Sequence, residues 1–441
     1  MIAAAFDDVE IKQRRSVRQV AFASFIGTTV EWYDFFVYGT AAALVFPKLF
    51  FPHLTPLVGT LASFATFGVA FFARPIGGVV FGHLGDRVGR KSMLVATLLL
   101  MGGATFFIGL LPTFEQIGIV APIVLVALRC VQGFAVGGEW GGATLMAVEH
   151  APAQDRNFYA SWPQLGVPAG LLLSTTAFAA LSSLPERYFF SWGWRVAFLL
   201  SIALIAVGVV IRLRVDESPV FSRVKDLGTV PKAPLLEVVR DHRTALILAI
   251  GVVFVSLSGF YIVTTFSLSY LTEQLGVSRN VALVGNVLFS VAEAASILIF
   301  ARVADRVGKH RVAIWSAFCQ VLFAYPFFWL ISTREPSLIW LAMSVSAFTA
   351  SALYGITGAV LADLFEPRVR CSGISLGYQI AGMLGGGPAP IIATFLVHWS
   401  RGATWTVATY LAGCSLITLM AVYVIFARQS VVMSPMASRS L

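Results

Sequence analysis

Charge is what this sequence has least of: Asp, Glu, Lys and Arg make up 12% of its 441 residues, where a soluble domain carries roughly one quarter. So few charges cannot cover a water-facing surface of this size, and little room is left for a soluble domain. Cysteine is scarce as well. Cys130, Cys319, Cys371 and Cys414 stand apart, with no CxxC spacing and no cluster of His ligands, so neither a disulfide framework nor a metal site is expected. No GxxxxGK[ST] occurs, which argues against ATP as the energy source, and no cofactor is implied. Residues 1 to 18 include Asp7, Asp8, Glu10, Lys12, Arg14, Arg15 and Arg18. They lack the apolar core of a cleaved signal peptide. The net charge of +9 gives no basic stripe for nucleic acid, because the basic residues sit in breaks between apolar runs.

Those apolar runs are what the chain has in abundance. Hydrophobic residues account for 58% of it and the mean hydropathy is +0.82. Stretches of about 20 apolar residues, enough to span a bilayer, recur from Val20 to Ile425. They read as helices at 20–46, 57–84, 92–111, 117–148, 157–181, 192–212, 243–272, 280–304, 311–331, 337–363, 370–397 and 403–427, an all-α polytopic membrane protein of twelve transmembrane helices. Alternate breaks divide the basic residues unequally. One side carries 23 of the 31 Lys and Arg, the other only Lys48, Arg187, Arg195, Arg279, Arg334 and Arg401, while Arg74 and Arg129 fall inside helices. The positive-inside rule then puts both termini in the cytoplasm, which requires an even number of spans. The expected organisation is a cytoplasmic segment at 1–19, a six-helix bundle at 20–213, a cytoplasmic loop at 214–242 containing Pro219, Pro231 and Pro234, a second bundle at 243–427, and a cytoplasmic tail at 428–441.

The two bundles repeat each other. Gly82-His83-Leu84-Gly85-Asp86-Arg87-Val88-Gly89-Arg90-Lys91 follows the second helix, and Ala301-Arg302-Val303-Ala304-Asp305-Arg306-Val307-Gly308-Lys309-His310 follows the eighth, 219 residues later. A weaker echo pairs Pro152 with Pro367 and Gln164 with Gln379. Parallel repeats of this kind place a binding site at their interface near the bilayer midplane. The Asp86 carboxylate falls at the end of a helix, where it can accept hydrogen bonds from a neighbouring helix N-terminus and from Arg90. Gly137, Gly138, Gly141, Gly142 and Gly382 permit close helix approach, and Gly385-Gly386-Gly387-Pro388 marks a kink.

Three further segments complete a recognisable set: Glu31-Trp32-Tyr33-Asp34-Phe35-Phe36-Val37-Tyr38-Gly39, Ala73-Arg74-Pro75-Ile76-Gly77-Gly78, and Arg129-Cys130-Val131-Gln132-Gly133 through Gly137-Gly138-Glu139-Trp140-Gly141-Gly142. With the doubled loop, they resemble the metabolite:proton symporters of the major facilitator superfamily over nearly the whole chain. Ser191-Trp192-Gly193-Trp194-Arg195 and Tyr261-Ile262-Val263-Thr264 are similar to segments of shikimate carriers. The resemblance implies the major facilitator fold, two pseudo-symmetric six-helix halves working by alternating access. It also implies that Asp86, Arg87 and Arg90, with Glu149 and the repeat residues Asp305 and Arg306, gate the cytoplasmic side. Arg129 opens a motif tied to proton coupling in such proteins, and Asp34 occupies a position that is often titratable.

The residues support a coupling site in their own right. A charge inside a membrane costs about 3 kcal/mol or more unless paired or hydrated, yet Glu31 and Asp34 share one helix face, and Arg74, Arg129 and Glu139 lie in neighbouring helices. Burial favours the neutral form of a carboxylate and a nearby guanidinium the charged form. An anionic substrate at an arginine could therefore release a carboxylate to take a proton. The proton-coupling candidates are Asp34, Arg129, Glu31 and Glu139; the other reading of the same groups is buried ion pairs that hold the first half together. Arg74, Tyr33, Tyr38, Gln164, Tyr261, Tyr378 and Gln379 are the candidate substrate ligands, since polar substrates need a few placed hydrogen bonds, and packing is the other reading of each. Glu293, the sole interior acid of the second half, matches no family motif.

The expected function is proton-coupled symport of a small organic acid (shikimate-like, a keto acid, a di- or tricarboxylate or an aromatic acid) in the bacterial cytoplasmic membrane, by a chain that works as a monomer. Its partners are a small-molecule substrate, protons and the lipid bilayer. The alternative is a zwitterionic osmolyte such as proline or betaine. Osmosensing relatives carry a long C-terminal coiled coil, whereas Arg428 to Leu441 shows no heptads, which favours the organic acid. An enzyme would need a nucleophile with a base or a metal set, and a substrate-sensing receptor would need an output domain; neither is legible.

Overall fold

The computed structural model describes residues 2–88, 90–137, 153–214, 234–366 and 369–437. Among them the secondary structure is helical throughout. The spanning elements are α1 (Ile2–Leu44), α2 (Pro56–Val88), α3 (Arg90–Leu110), α4 (Val120–Val136), α5 (Arg156–Ser182), α6 (Glu186–Val210), α7 (Arg243–Gln274), α8 (Arg279–Val307), α9 (Lys309–Ser332), α10 (Pro336–Ala362), α11 (Ser372–Trp399) and α12 (Trp405–Ala437). Nine of these are long and apolar enough to cross a membrane; α3 and α4 have shorter apolar stretches.

Helix α1 is the least apolar span for a physical reason: every residue from Gly27 to Phe46 is buried. Surrounded by protein, it can carry Glu31, Asp34, Thr28, Thr29 and Thr40 where a lipid-facing helix could not. It also begins earlier than hydropathy alone places it, at Ile2 rather than near residue 20, because Ala3 to Ala5, Glu10, Lys12 and Gln13 are good helix formers. The outer walls are instead apolar, with Leu99, Phe107, Phe318, Leu322 and Met420 exposed. Trp192, Trp329, Trp399 and Trp405 are exposed at one end of the bundle, the interfacial position such rings favour. Arg302, Arg306 and His310 are exposed at the other.

The repeat read in the sequence recurs as packing. In the first half α1 packs on α5, α2 on α4 and α3 on α6; in the second, α7 packs on α11, α8 on α10 and α9 on α12. The halves meet through the corresponding pairs α5–α8 and α2–α11. Small residues set these distances. A Cβ on Gly137 would run into the Arg74 carbonyl of α2, and one on Gly68 would sit 3.2 Å from the Gly387 carbonyl of α11. Around Gly382–Gly386 the backbone widens into a π turn, as it does over Ile262–Phe266 of α7. The glycine-proline interruption of α11 is therefore real and faces the other half.

Candidate functional site

Arg129 projects from α4 into the centre of the first half and is fully buried. Its Nη1 donates to Gln132 Oε1 at 3.1 Å and its Nη2 to the Phe67 carbonyl at 3.5 Å. The guanidinium lies over the rings of Phe35, Tyr38 and Phe67, at 3.9, 4.1 and 4.9 Å from their centroids. Arg74 of α2 is held the same way, over Phe35 at 4.3 Å and Phe71 at 4.6 Å. Ring faces stabilise a cation most when water is excluded.

Asp34 is one residue from Phe35 but points elsewhere, towards Gly102 of α3. It is completely buried. The polar group beside it is the Thr105 hydroxyl, which donates to the Met101 carbonyl and accepts from Gln132 Nε2 at 2.6 Å. Among the described residues neither Asp34 oxygen therefore receives a hydrogen bond, and Asp34 forms no ion pair with Arg129. This amends one pairing within the expected cluster, that of Arg129 with Asp34. Arg129 is cradled by rings and neutral oxygens and reaches Asp34 only through Gln132 and Thr105. Gln132 stands one helical turn after Arg129, the spacing that places two side chains on one face, so sequence could have flagged it; Thr105 gave no signal. Glu139 lies outside the described residues, and buried Glu31 and Arg74 are both within electrostatic reach of Tyr261 and Tyr378.

A cavity of about 40 Å³ lies between the halves, lined by Trp32 of α1, Tyr261 of α7, Glu293 of α8, Gln320 of α9, Tyr354 of α10 and Tyr378 of α11, among others. It has room for a few waters. Tyr261 and Tyr378 thus line it. Tyr33 instead donates to the Ala197 carbonyl of α6 at 2.7 Å, and Tyr38 to Thr66 Oγ1 at 2.7 Å. Gln379 donates to the Gly137 carbonyl at 2.9 Å and ties α11 to α4. Gln164 is buried on α5 and, like Arg74, is absent from the cavity wall.

The two halves are bridged at both ends of the bundle. At the basic end, Asp305 Oδ1 accepts from the Asn157 backbone N–H at 3.1 Å and its Nδ2 at 2.6 Å, and Oδ2 from the Phe158 N–H at 3.2 Å. This carboxylate of the second half caps the start of α5 in the first, where the free N–H groups and the helix dipole favour an anion. Arg302 stacks on Phe158 at 4.3 Å, Arg156 lies 3.6 Å from Asp363 Oδ1, and Lys309 pairs with the same acid. Asp363 was not singled out in the sequence. Arg306 is exposed; Glu149 and the side chains of Asp86, Arg87 and Arg90 lie outside the described residues. At the opposite end Arg279 Nη2 meets Glu186 Oε1 at 3.1 Å, and Ser182 Oγ donates to Asn280 Oδ1 at 2.9 Å.

A repeated bundle around a central cavity, bridged at both ends, defines a membrane transporter rather than an enzyme. Residues 20–229 match the family "Sugar (and other) transporter" and residues 248–435 the family "Major Facilitator Superfamily". The shikimate transporter of Escherichia coli (strain K12) is 42% identical over 404 residues, covering 90% of this chain and 92% of that protein. A glycine betaine/proline/ectoine/pipecolic acid transporter of Dickeya dadantii is 33% identical, over 90% of this chain and 81% of its own length. The fold matches the xylose transporter of E. coli in a partially occluded inward open conformation, with TM-score 0.70, 16% identity and coverage of 93% and 97%. The chain belongs to the metabolite:proton symporter family of the major facilitator superfamily.

Proposed function

We propose that this chain is a proton-coupled symporter of a small organic acid, that Asp34 carries the proton, and that Arg129 senses it through Gln132 and Thr105. The observation that carries this reading is the isolation of Asp34. A carboxyl group sealed from water and set apart from Arg129 can exchange a proton only when the helices move apart, which ties proton movement to the conformational cycle. Arg74 and Arg129, both cationic and shielded by rings, supply the positive potential an anionic substrate needs. The likeness to the shikimate transporter supports an acid as cargo. The likeness to the betaine and proline transporters keeps a zwitterion as the second reading.

The basic end, where Asp305 closes on α5, is the cytoplasmic end by the positive-inside rule; both termini are cytoplasmic and the membrane is the bacterial inner membrane. One chain contains both halves and the cavity between them, so a monomer suffices. The test is uptake into proteoliposomes from a panel of radiolabelled acids and zwitterions under an imposed inside-alkaline gradient. Acids should accumulate and a protonophore should abolish the accumulation. Accumulation of zwitterions alone would replace the cargo assignment, and uptake indifferent to the gradient would remove the symport assignment.

A further inference from the structure

Of the groups lining the central cavity, four carry buried polar atoms with no hydrogen-bond partner among the described residues: Trp32 Nε1 on α1, Ser256 Oγ and Tyr261 Oη on α7, and Glu293 Oε2 on α8. Buried polar groups in folded proteins are almost always satisfied. Four open valences around one small space therefore mark what the space is built to receive. Trp32 offers a donor from the first half; Ser256, Tyr261 and Glu293 belong to the second, whereas the proton and anion machinery of Asp34, Arg129 and Arg74 belongs to the first.

The chemistry of the set is specific. Glu293 is 2% exposed and offers an acceptor, while the Ser256 and Tyr261 hydroxyls each donate or accept. A group that matches such a mixture is one that itself both donates and accepts, a hydroxyl. A quaternary ammonium would have no hydrogen to give Glu293 and would leave both hydroxyls unsatisfied. Phe289 and Phe327 complete the wall and suit the apolar faces of a ring.

We infer that Glu293 is a specificity-determining residue that, with Ser256 and Tyr261, binds the hydroxyls of a hydroxylated ring carboxylate. This rests on the organic-acid reading above and narrows its cargo. A site built around substrate hydroxyls rejects an analogue that lacks them, because its buried polar groups are then left unpaired. The cavity in this closed arrangement holds only a few waters, so the halves must separate to admit the ring.

The test measures equilibrium binding to purified protein in nanodiscs for two acids of one skeleton: shikimate, which carries ring hydroxyls, and cyclohexene carboxylate, which does not. Wild type should bind the hydroxylated acid more tightly by about tenfold or more. Glu293→Gln, close in shape, and Glu293→Ala should lose most of that preference while keeping the affinity for the plain acid within about twofold. Equal binding of both acids by wild type would overturn the inference without any variant, as would a preference unchanged by either substitution or affinities for both acids falling together. Proline and betaine run alongside. Their binding in place of both acids would overturn the organic-acid reading itself, a result distinct from binding both acids without discrimination.

Discussion

At the residue scale the account turns on which way two adjacent side chains point. Successive helix positions differ by about 100°, so Phe35 stacks under Arg129 while Asp34 faces Gly102. Asp34→Asn mimics the protonated form and should abolish gradient-driven accumulation while leaving substrate exchange down its own gradient, which a counterflow assay measures. Full accumulation by that variant would move the proton to another acid, with Glu31 and Glu139 the next to test. The Gln132 link gives a second expectation. Gln132→Leu and Thr105→Val remove the polar path from Arg129 to Asp34 with little change in volume, and each should lower the accumulation ratio by about tenfold, the worth of one buried hydrogen bond. Exchange should persist. Arg129→Lys keeps the charge but loses the planar fork and the three-ring stack, so it should insert normally and couple poorly; Arg129→Ala should be worse.

At the element scale the latch at the basic end and the close crossings carry the consequences. Asp305 caps α5 across the interface between halves, so Asp305→Asn should weaken closure there by about 1 kcal/mol. Spin labels at the exposed positions Gln154 and His310 would report it as a larger fraction of long distances; an unchanged distribution would make the contact incidental. Gly137→Val should cost about 2 kcal/mol by overpacking α2 against α4, read as a lower midpoint of thermal unfolding in detergent. Much at this scale was legible in sequence. Twelve spans, the doubled loop and the interruption at Gly385 to Pro388 all follow from local composition and period. The early start of α1 was not, because hydropathy marks where a helix enters lipid, not where it begins. Nor was the partner of Asp305, since an N-terminus 148 residues away leaves no trace in local pattern.

At the scale of the whole molecule, the two halves share a fold and divide the chemistry. Paired acids and arginines in α1, α2 and α4 stood out in the sequence as charges within apolar runs, and they are indeed buried together. The surroundings of Arg129 did not stand out, because rings can hold a guanidinium as well as acids can and nothing in spacing distinguishes the two. The cavity wall of the second half was half legible: Tyr261 and Tyr378 drew notice, whereas Ser256 and Tyr354 look like ordinary packing residues until eight helices converge on one cavity. The measurement that tests the central claim most directly follows the proton itself. In proteoliposomes loaded with a fluorescent pH probe and given no imposed gradient, adding external shikimate should acidify the lumen for wild type. Asp34→Asn should take up labelled shikimate to equilibrium without acidifying it. Uptake by wild type with no change in lumenal pH would contradict proton-coupled symport.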